Sequence, residues 1–231
     1  TNFRTERMAA VGELAAAVAH EIRNPLAAIS GSIQMLQRVS PNLSGTEKRL
    51  MDIVVRETDG LNQWITDFLE YSRPQPANRA PVDIDDLVTN TLAVYAQDPQ
   101  MEGIMVEKVG DEPMWILADA GRIRQVVWNL LNNARQAMKS GGVIRVTLLA
   151  MDNGSRPLME LSVQDEGAGI SEEVQQRIFE PFYTTKERGT GLGLAVVHQI
   201  IEDHDGHISL ESEEGVGTTF RVLLPLSLPP V

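Results

Sequence analysis

The residues of this chain that could do chemistry lie in two places. The first is Ala19-His20-Glu21-Ile22-Arg23-Asn24-Pro25-Leu26, a histidine followed at once by a carboxylate and four residues later by an amide. A neutral imidazole attacks through one ring nitrogen only when the other is protonated and held in place. Glu21 is placed to hold that N–H and to offset the charge that develops. The pattern reads as a nucleophile, His20, with its orienting carboxylate, and it suits attack on phosphorus.

The second place supplies what such a nucleophile needs. Asn129-Leu130-Leu131-Asn132-Asn133-Ala134 puts Asn129 and Asn133 on one helix face, four residues apart. Their amide oxygens are hard ligands for Mg²⁺ and their NH₂ groups can meet a phosphate. Asn132 lies about 100° round the helix, on another face. In Asp165-Glu166-Gly167-Ala168-Gly169-Ile170 a carboxylate could accept from the exocyclic amine of adenine, while Gly167 and Gly169 let backbone approach a flat base. Gly189-Thr190-Gly191-Leu192-Gly193-Leu194 opens a helix, and free N–H groups at a helix start favour phosphate. Lys186, Arg188 and Thr190 are near enough in sequence to add charge and hydroxyl contacts, and Tyr183–Gly189 reads as a lid. Each patch alone is ambiguous: two asparagines on a helix are usually only solvated, and D-x-G-x-G also occurs in calcium loops. Neither a Walker loop nor a Rossmann loop is present.

Two kinds of element must position these groups. Residues 5–38 read as one long helix with heptad-spaced series Met8, Ala15, Ile22, Ile29, Leu36 and Val11, Val18, Pro25, Ser32. Pro25 should kink it. After a turn at Ser40–Gly45, with Thr46 as the expected N-cap, a second seam runs through Leu50, Ile53, Glu57, Leu61, Trp64, Phe68 and Tyr71. A two-helix hairpin buries little alone, so pairing two into a four-helix bundle, a homodimer, is expected. His20 projects opposite the seam, and Asn24 lies one turn further along the same face. Ala17, Ala27 and Gly31 keep that face small-sided. The prolines of Ser72–Pro81 make a stiff linker. Beyond it the pattern mixes strands and helices: Asp83 capping a helix to about Gln97, strands near Met105–Lys108 and Met114–Leu117, and a helix over Gly121–Lys139. Strands then cover Val143–Ala150 and Leu158–Gln164, with helices over Glu172–Phe179 and Leu192–Asp203. Strands over His207–Ser212 and Thr218–Leu224 close the chain. A mixed sheet with helices on one face follows.

Composition bounds the partners. Of the net charge of −12, residues 1–74 carry about −1 and residues 75–231 carry −11. Neither half has the basic footprint of a nucleic-acid binder. There is no cysteine, which excludes disulfides and thiolate metal sites. No apolar run is long enough for a membrane span. The first residue is Thr, so a fragment of a longer protein is expected. His198, His204 and His207 show no metal-ligand spacing and read as structural or exposed.

The order of these motifs resembles the catalytic core of bacterial sensor histidine kinases over nearly the whole chain. Ala19–Leu26 is similar to the family's H box, Asn129–Ala134 to its N box, and Asp165–Ile170 to its first glycine box. Phe179–Phe182 is similar to the F box, Gly189–Leu194 to the second glycine box, and Gly215-Val216-Gly217-Thr218-Thr219-Phe220 to the final glycine motif. The wording around His20 and the short lid are most similar to the nitrogen- and pilus-regulation branch. The departure is His204-Asp205-Gly206, where relatives often have H-G-G, a turn change expected to be tolerated.

The resemblance implies an α+β chain. A dimerisation and phosphotransfer hairpin would cover 1–73, a linker 74–81, and an α/β-sandwich ATP-binding domain of the Bergerat type 82–231. It implies ATP and Mg²⁺ as cofactors, His20 as phosphoacceptor with Glu21 beside it, and Asn133 as the direct metal ligand. Asn129 would meet phosphates, Asp165, Gly167 and Gly169 adenine, and Gly189, Gly191 and Gly193 the lid and phosphates. Lys186 and Thr190 are added from the residues themselves. A homodimer and a response regulator receiver domain are the implied partners. Asn24 would position water to hydrolyse the regulator's aspartyl phosphate. The expected location is the cytoplasm, with any membrane attachment through a segment upstream of Thr1. Other ATPases of the same type lack the H-E-x-x-N-P helix.

Overall fold

A computed structural model describes residues 22–40, 44–72, 77–98, 101, 103–110, 112–152, 154, 156–186 and 189–229. His20, Glu21 and Arg188 lie outside these residues. The chain divides into two compact units, Thr1–Gln75 and Pro76–Val231.

In the first unit, helix α1 covers 22–39 and runs through Pro25. Helix α2 is Gly45–Ser72. Its cap is Ser44, not the expected Thr46. Ser44 Oγ accepts from the Glu47 N–H at 3.3 Å, and Glu47 reaches back to the Ser44 N–H at 2.8 Å. This reciprocal box satisfies two orphan donors, which Thr46, already the second residue of the helix, could not do.

The least exposed stripe of the hairpin, half-buried except at the buried Thr58 and Ile65, is offset from the predicted seams. On α2 it runs Met51, Val55, Thr58, Asn62, Ile65, Leu69, and on α1 Arg23, Leu26, Ser30, Ile33, Gln37. Arg23 Nη2 donates to Thr66 Oγ1 at 2.7 Å, and Gln37 Nε2 to Asp52 Oδ1 at 2.8 Å. The neighbouring stripe, which holds the predicted seam, is exposed: Ile22 39%, Ile29 46%, Leu36 46%, Leu50 57% and Leu61 47%. Both stripes repeat every seven residues, so the period is right and the phase differs by one position. One stripe lies within the hairpin; the other faces out from it. Asn24, Ala27 and Gly31 are exposed, as expected for the outward face.

The second unit opens with β1 (Ala80–Asp83), whose first two residues fall in the expected linker; it pairs antiparallel with β3 (Trp115–Ala118) as a small separate sheet. Pro81 sits well on such an edge strand. Asp83 caps α3 (Ile84–Tyr95), its carboxylate accepting from Asp85 and Asp86 N–H groups. The main sheet has order β2-β4-β5-β7-β6, built from Ile104–Val109, Gly142–Asp152, Pro157–Asp165, Gly217–Pro225 and His207–Glu213. All pairs are antiparallel except β2 with β4. Helix α4 (Ala120–Ala137) is the crossover that this parallel pair requires.

Strict alternation sets the sheet's two faces. Ile144, Val146 and Leu148, then Met159, Leu161 and Val163, then Phe220, Val222 and Leu224 point inward and are buried. Against them pack α4, through Ile123, Val126, Val127, Leu130 and Leu131, and α6 (Gly193–Glu202), through Val196, Val197, Ile200 and Ile201. Each such side chain is worth about 1.5–3 kcal/mol on burial. The opposite face carries charge: Arg221 bridges Glu160 at 3.1 Å and Glu211 at 3.0 Å. The expected helix Glu172–Phe179 is one turn, α5 (Glu172–Gln175), followed by turns. No helix among the described residues is long and apolar enough to cross a membrane.

His204 is structural, as read from the sequence. It is 3% exposed, Nδ1–H donates to the Ile200 carbonyl at 2.7 Å, and Nε2 accepts from the Asp119 N–H at 3.0 Å. Asp205 takes a left-handed φ of 57°, which explains why a glycine suits that turn; Arg79 pairs with its carboxylate at 2.6 Å.

The exposed stripe of the hairpin yields a test of the expected dimer. Sedimentation equilibrium at micromolar concentration should show a dimer, and Ile29→Glu, a charge on that stripe, should shift it to monomer without loss of helical circular dichroism. A wild-type chain that sediments only as monomer removes the dimer.

Candidate nucleotide site

The site is built at one end of α4 and at the end of β5. Helix α4 buries Val126, Leu130 and Ala134 and so turns Asn129, Asn133 and Gln136 away from the core. Asn129 Nδ2 donates to the Gly193 carbonyl at 3.4 Å, which ties the N-box helix to the start of α6. Asn133 Oδ1 accepts from Lys186 Nζ at 2.8 Å, and Gln136 Oε1 accepts from the same ammonium at 2.5 Å. Asn132 belongs elsewhere: it accepts from the Tyr95 hydroxyl at 3.1 Å and so joins α3 to α4. Tyr95 stacks edge-on against Trp128 at 4.9 Å.

Asp165 ends β5 and is 4% exposed. Its Oδ1 accepts from the Gly167 N–H at 2.9 Å. Burial pushes its pKa above the ordinary carboxylate range; the N–H groups of Gly167 and Thr218 and the charge of Lys186 oppose that rise but do not cancel it. Lys186 shows the mirror image. The residue as a whole is exposed, yet desolvation, then the Arg135 guanidinium, lower its pKa, and the Asp165 carboxylate works the other way. An acid and a base of opposite charge thus share one site, the acid buried and the base exposed.

The glycines are needed where backbones meet. Gly169 has φ +68°, and a Cβ there would lie 2.6 Å from the Glu213 carbonyl carbon. Gly191 has φ +65°, and a Cβ would lie 2.8 Å from Phe182 Cα. Phe182 is itself left-handed, at φ 65°, and its N–H donates to the Gly191 carbonyl at 2.9 Å. The F-box turn and the second glycine box therefore brace each other. Thr190 Oγ1 accepts from the Leu192 N–H at 3.2 Å, just ahead of α6. Phe179 packs between His198 at 5.5 Å and Phe220 at 6.5 Å.

The structure brings Asn129 and Gly193 into one contact, and Lys186 and Asn133 into another. It places Gly167 on Asp165, and Gly169 and Gly191 at backbone crossings. Sequence reasoning missed Gln136. The signal was available, since Gln136 follows Asn133 by three residues and so shares its face.

The donor set fits a magnesium nucleotide. Among the described residues no group of three or more His, Cys, Asp or Glu could hold a metal. What exists is a pair of amide oxygens already seating a cation. Mg²⁺ characteristically takes few protein ligands and completes its shell with water and phosphate oxygens. The buried Asp165 carboxylate offers an acceptor to a donor edge such as the adenine amine.

Comparison with known proteins agrees with this geometry. Residues 10–77 match the His Kinase A (phospho-acceptor) domain, and residues 118–228 match the histidine kinase-, DNA gyrase B-, and HSP90-like ATPase. The chain is 39% identical over 226 residues to the sensor histidine kinase ZraS of Escherichia coli (strain K12), covering 97% of this chain and 48% of ZraS. It thus spans about half the length of that curated relative. The catalytic domain of histidine kinase ThkA is 33% identical, with a TM-score of 0.57 over 64% of this chain and 95% of that domain. ThkA in complex with the response regulator protein TrrA superposes with a TM-score of 0.69 at 30% identity, over 97% of this chain and 64% of that one. The chain belongs to the sensor histidine kinases and carries their catalytic core, a phospho-acceptor hairpin followed by an ATP-binding domain.

Proposed function

We propose that this core phosphorylates His20 from ATP and passes the phosphoryl group to an aspartate of a response regulator receiver domain. The observation that carries the reading is the Lys186 ammonium held by Asn133 with the buried Asp165 carboxylate near it, in a chain that also holds H-E-I-R-N-P. The His20 lone pair forms the N–P bond as the bond from the γ-phosphorus to the bridging oxygen breaks, and ADP leaves with that electron pair. Glu21 holds the proton on the other ring nitrogen. Asp165 accepts from adenine, Gly167 and Gly169 shape the base pocket, and Asn129, Lys186, Thr190, Gly191 and Gly193 meet the phosphates. Asn133 would hold Mg²⁺, which supplies charge neutralisation when bound.

The working parts are a hairpin over 1–73 that dimerises, a linker over 74–81, and an ATP-binding domain over 82–231. The exposed apolar stripe on both helices supports dimerisation. ThkA's complex with a response regulator supports the partner class. The wording V-G-E-L-A-A-A-V-A-H-E-I-R-N-P-L supports a place near the nitrogen- and pilus-regulation branch. A domain that consumes ATP fits the cytoplasm.

We further assign Asn24 a role in the reverse reaction. It is exposed and follows His20 by four residues in the sequence, a spacing at which its amide can orient water toward an aspartyl phosphate.

Incubation with Mg-ATP labelled at the γ position should give acid-labile, base-stable label on the protein, abolished in His20→Ala. ATP hydrolysis without protein label would instead indicate a plain ATPase. Asn24→Ala should lower dephosphorylation of phospho-regulator by about tenfold or more, within the usual range for losing one positioned catalytic group, while self-labelling persists. An unchanged dephosphorylation rate removes that role.

Asp165 ties stability to binding. Its folded pKa lies above the unfolded value, so the folded chain binds more protons in the window between them. Stability therefore falls as pH rises through that window, because a buried charge replaces a buried neutral acid. Asp165→Asn removes that charge. The variant should melt no lower than wild type at pH 7.5 yet bind adenine nucleotide at least tenfold more weakly, since it puts a donor where the adenine amine needs an acceptor. Wild-type affinity should decline on acidification as Asp165 protonates, and a flat profile down to pH 4 counts against the assignment.

A further inference from the structure

Lys186 Nζ is seated between two neutral amide oxygens, Asn133 Oδ1 at 2.8 Å and Gln136 Oε1 at 2.5 Å. Both residues project from one face of α4, three positions apart, with their carbonyl dipoles turned toward the ammonium. An amide oxygen that welcomes an ammonium is equally a ligand for a hard divalent cation. The oxygen held by Lys186 is the one assigned above to Mg²⁺. One oxygen cannot serve both at full strength, because two cations on it would repel.

We propose that Lys186 and the divalent ion are alternative partners of Asn133 Oδ1, and that Gln136 is a positioning residue that keeps the Lys186 ammonium at the phosphates when the metal is absent. This rests on the nucleotide-site reading above and adds to it a built-in stand-in charge. With metal bound, Asn133 turns to the ion and Lys186 keeps Gln136 as its anchor. Without metal, Lys186 takes the oxygen and offers its remaining N–H to a phosphate. Another charged group near Lys186, Asp165, ends β5 and holds the Gly167 N–H.

The consequence is a measurable coupling between metal and nucleotide. Removing a stand-in cation should weaken metal-free binding far more than metal-supported binding, which makes binding more metal-dependent. By linkage the nucleotide complex should gain metal affinity by the same factor.

The test is calorimetric titration of the non-hydrolysable analogue AMPPNP into the full chain, in excess MgCl₂ and again in EDTA. The ratio of the two dissociation constants is the readout. Lys186→Met should raise that ratio about tenfold, the scale of one charge-assisted contact. Gln136→Met should raise it in the same direction by about threefold. Both side chains are exposed, so neither substitution opens the core. If both variants lose affinity by the same factor in the two buffers, Lys186 is a phosphate contact independent of metal and the exchange is wrong. If the wild-type chain binds AMPPNP in neither buffer, the nucleotide site itself is wrong, and the exchange falls with it.

Discussion

Helix α4 must satisfy two environments with one period, and the ATP-binding domain is arranged around that constraint. Its apolar residues, Ile123, Val126, Val127, Leu130, Leu131 and Ala134, are buried against the sheet and its neighbouring helices. That packing leaves one rotation of the helix in which Asn129, Asn133 and Gln136 all face the site. The helix cannot turn to ease a polar contact without lifting apolar surface into water. Asp119 caps its start by accepting from Gly121 and Arg122, and Tyr95 ties its middle to α3 through Asn132. The amide row is therefore held by packing that never touches a ligand.

The sheet performs the matching service for Asp165. Antiparallel pairing of β5 with β4 and β7 fixes the strand to its last residue, opposite Ile144 and Thr218. Alternation then turns the Asp165 carboxylate inward, into a place where burial raises its proton affinity. A charge kept where it is poorly solvated is costly to stability and useful for recognition, because it accepts a donor without competition from water. Lys186, brought in from the segment between the F box and the glycine box, is the complementary case. Two partly desolvated, opposite charges in one site give it polarity although the surrounding domain is strongly acidic.

Much of the fold was legible because periodicity is a local property. The alternating runs of β4, β5 and β7 and the helical pattern of α4 were readable one element at a time. The departures have particular causes. Ala80 and Pro81 read as the end of the linker because a four-residue edge strand containing proline has no pattern of its own; Ala80–Asp83 is a strand because β3 lies beside it. Ser44, not Thr46, caps α2 because Glu47 stands at the right spacing to reciprocate. The hairpin seam had the right repeat and the wrong phase. A helix with two adjacent apolar stripes does not say which one its sequence neighbour will take.

The sequence by itself determined the chemistry on offer: a histidine with a carboxylate beside it, asparagines one turn apart, an aspartate before two glycines, and a glycine-rich helix start. Those depend on residue type and short spacing, which are fixed along the chain. Tertiary structure decided which groups meet. Lys186 reaches across 53 residues of sequence to Asn133 and 50 to Gln136. Phe182 and Gly191 brace each other in paired left-handed turns, and Asp165 loses its water to the strands around it. These are long-range matters of packing, burial and backbone approach. Each depends on surfaces that come together only when the sheet and its helices close on one another.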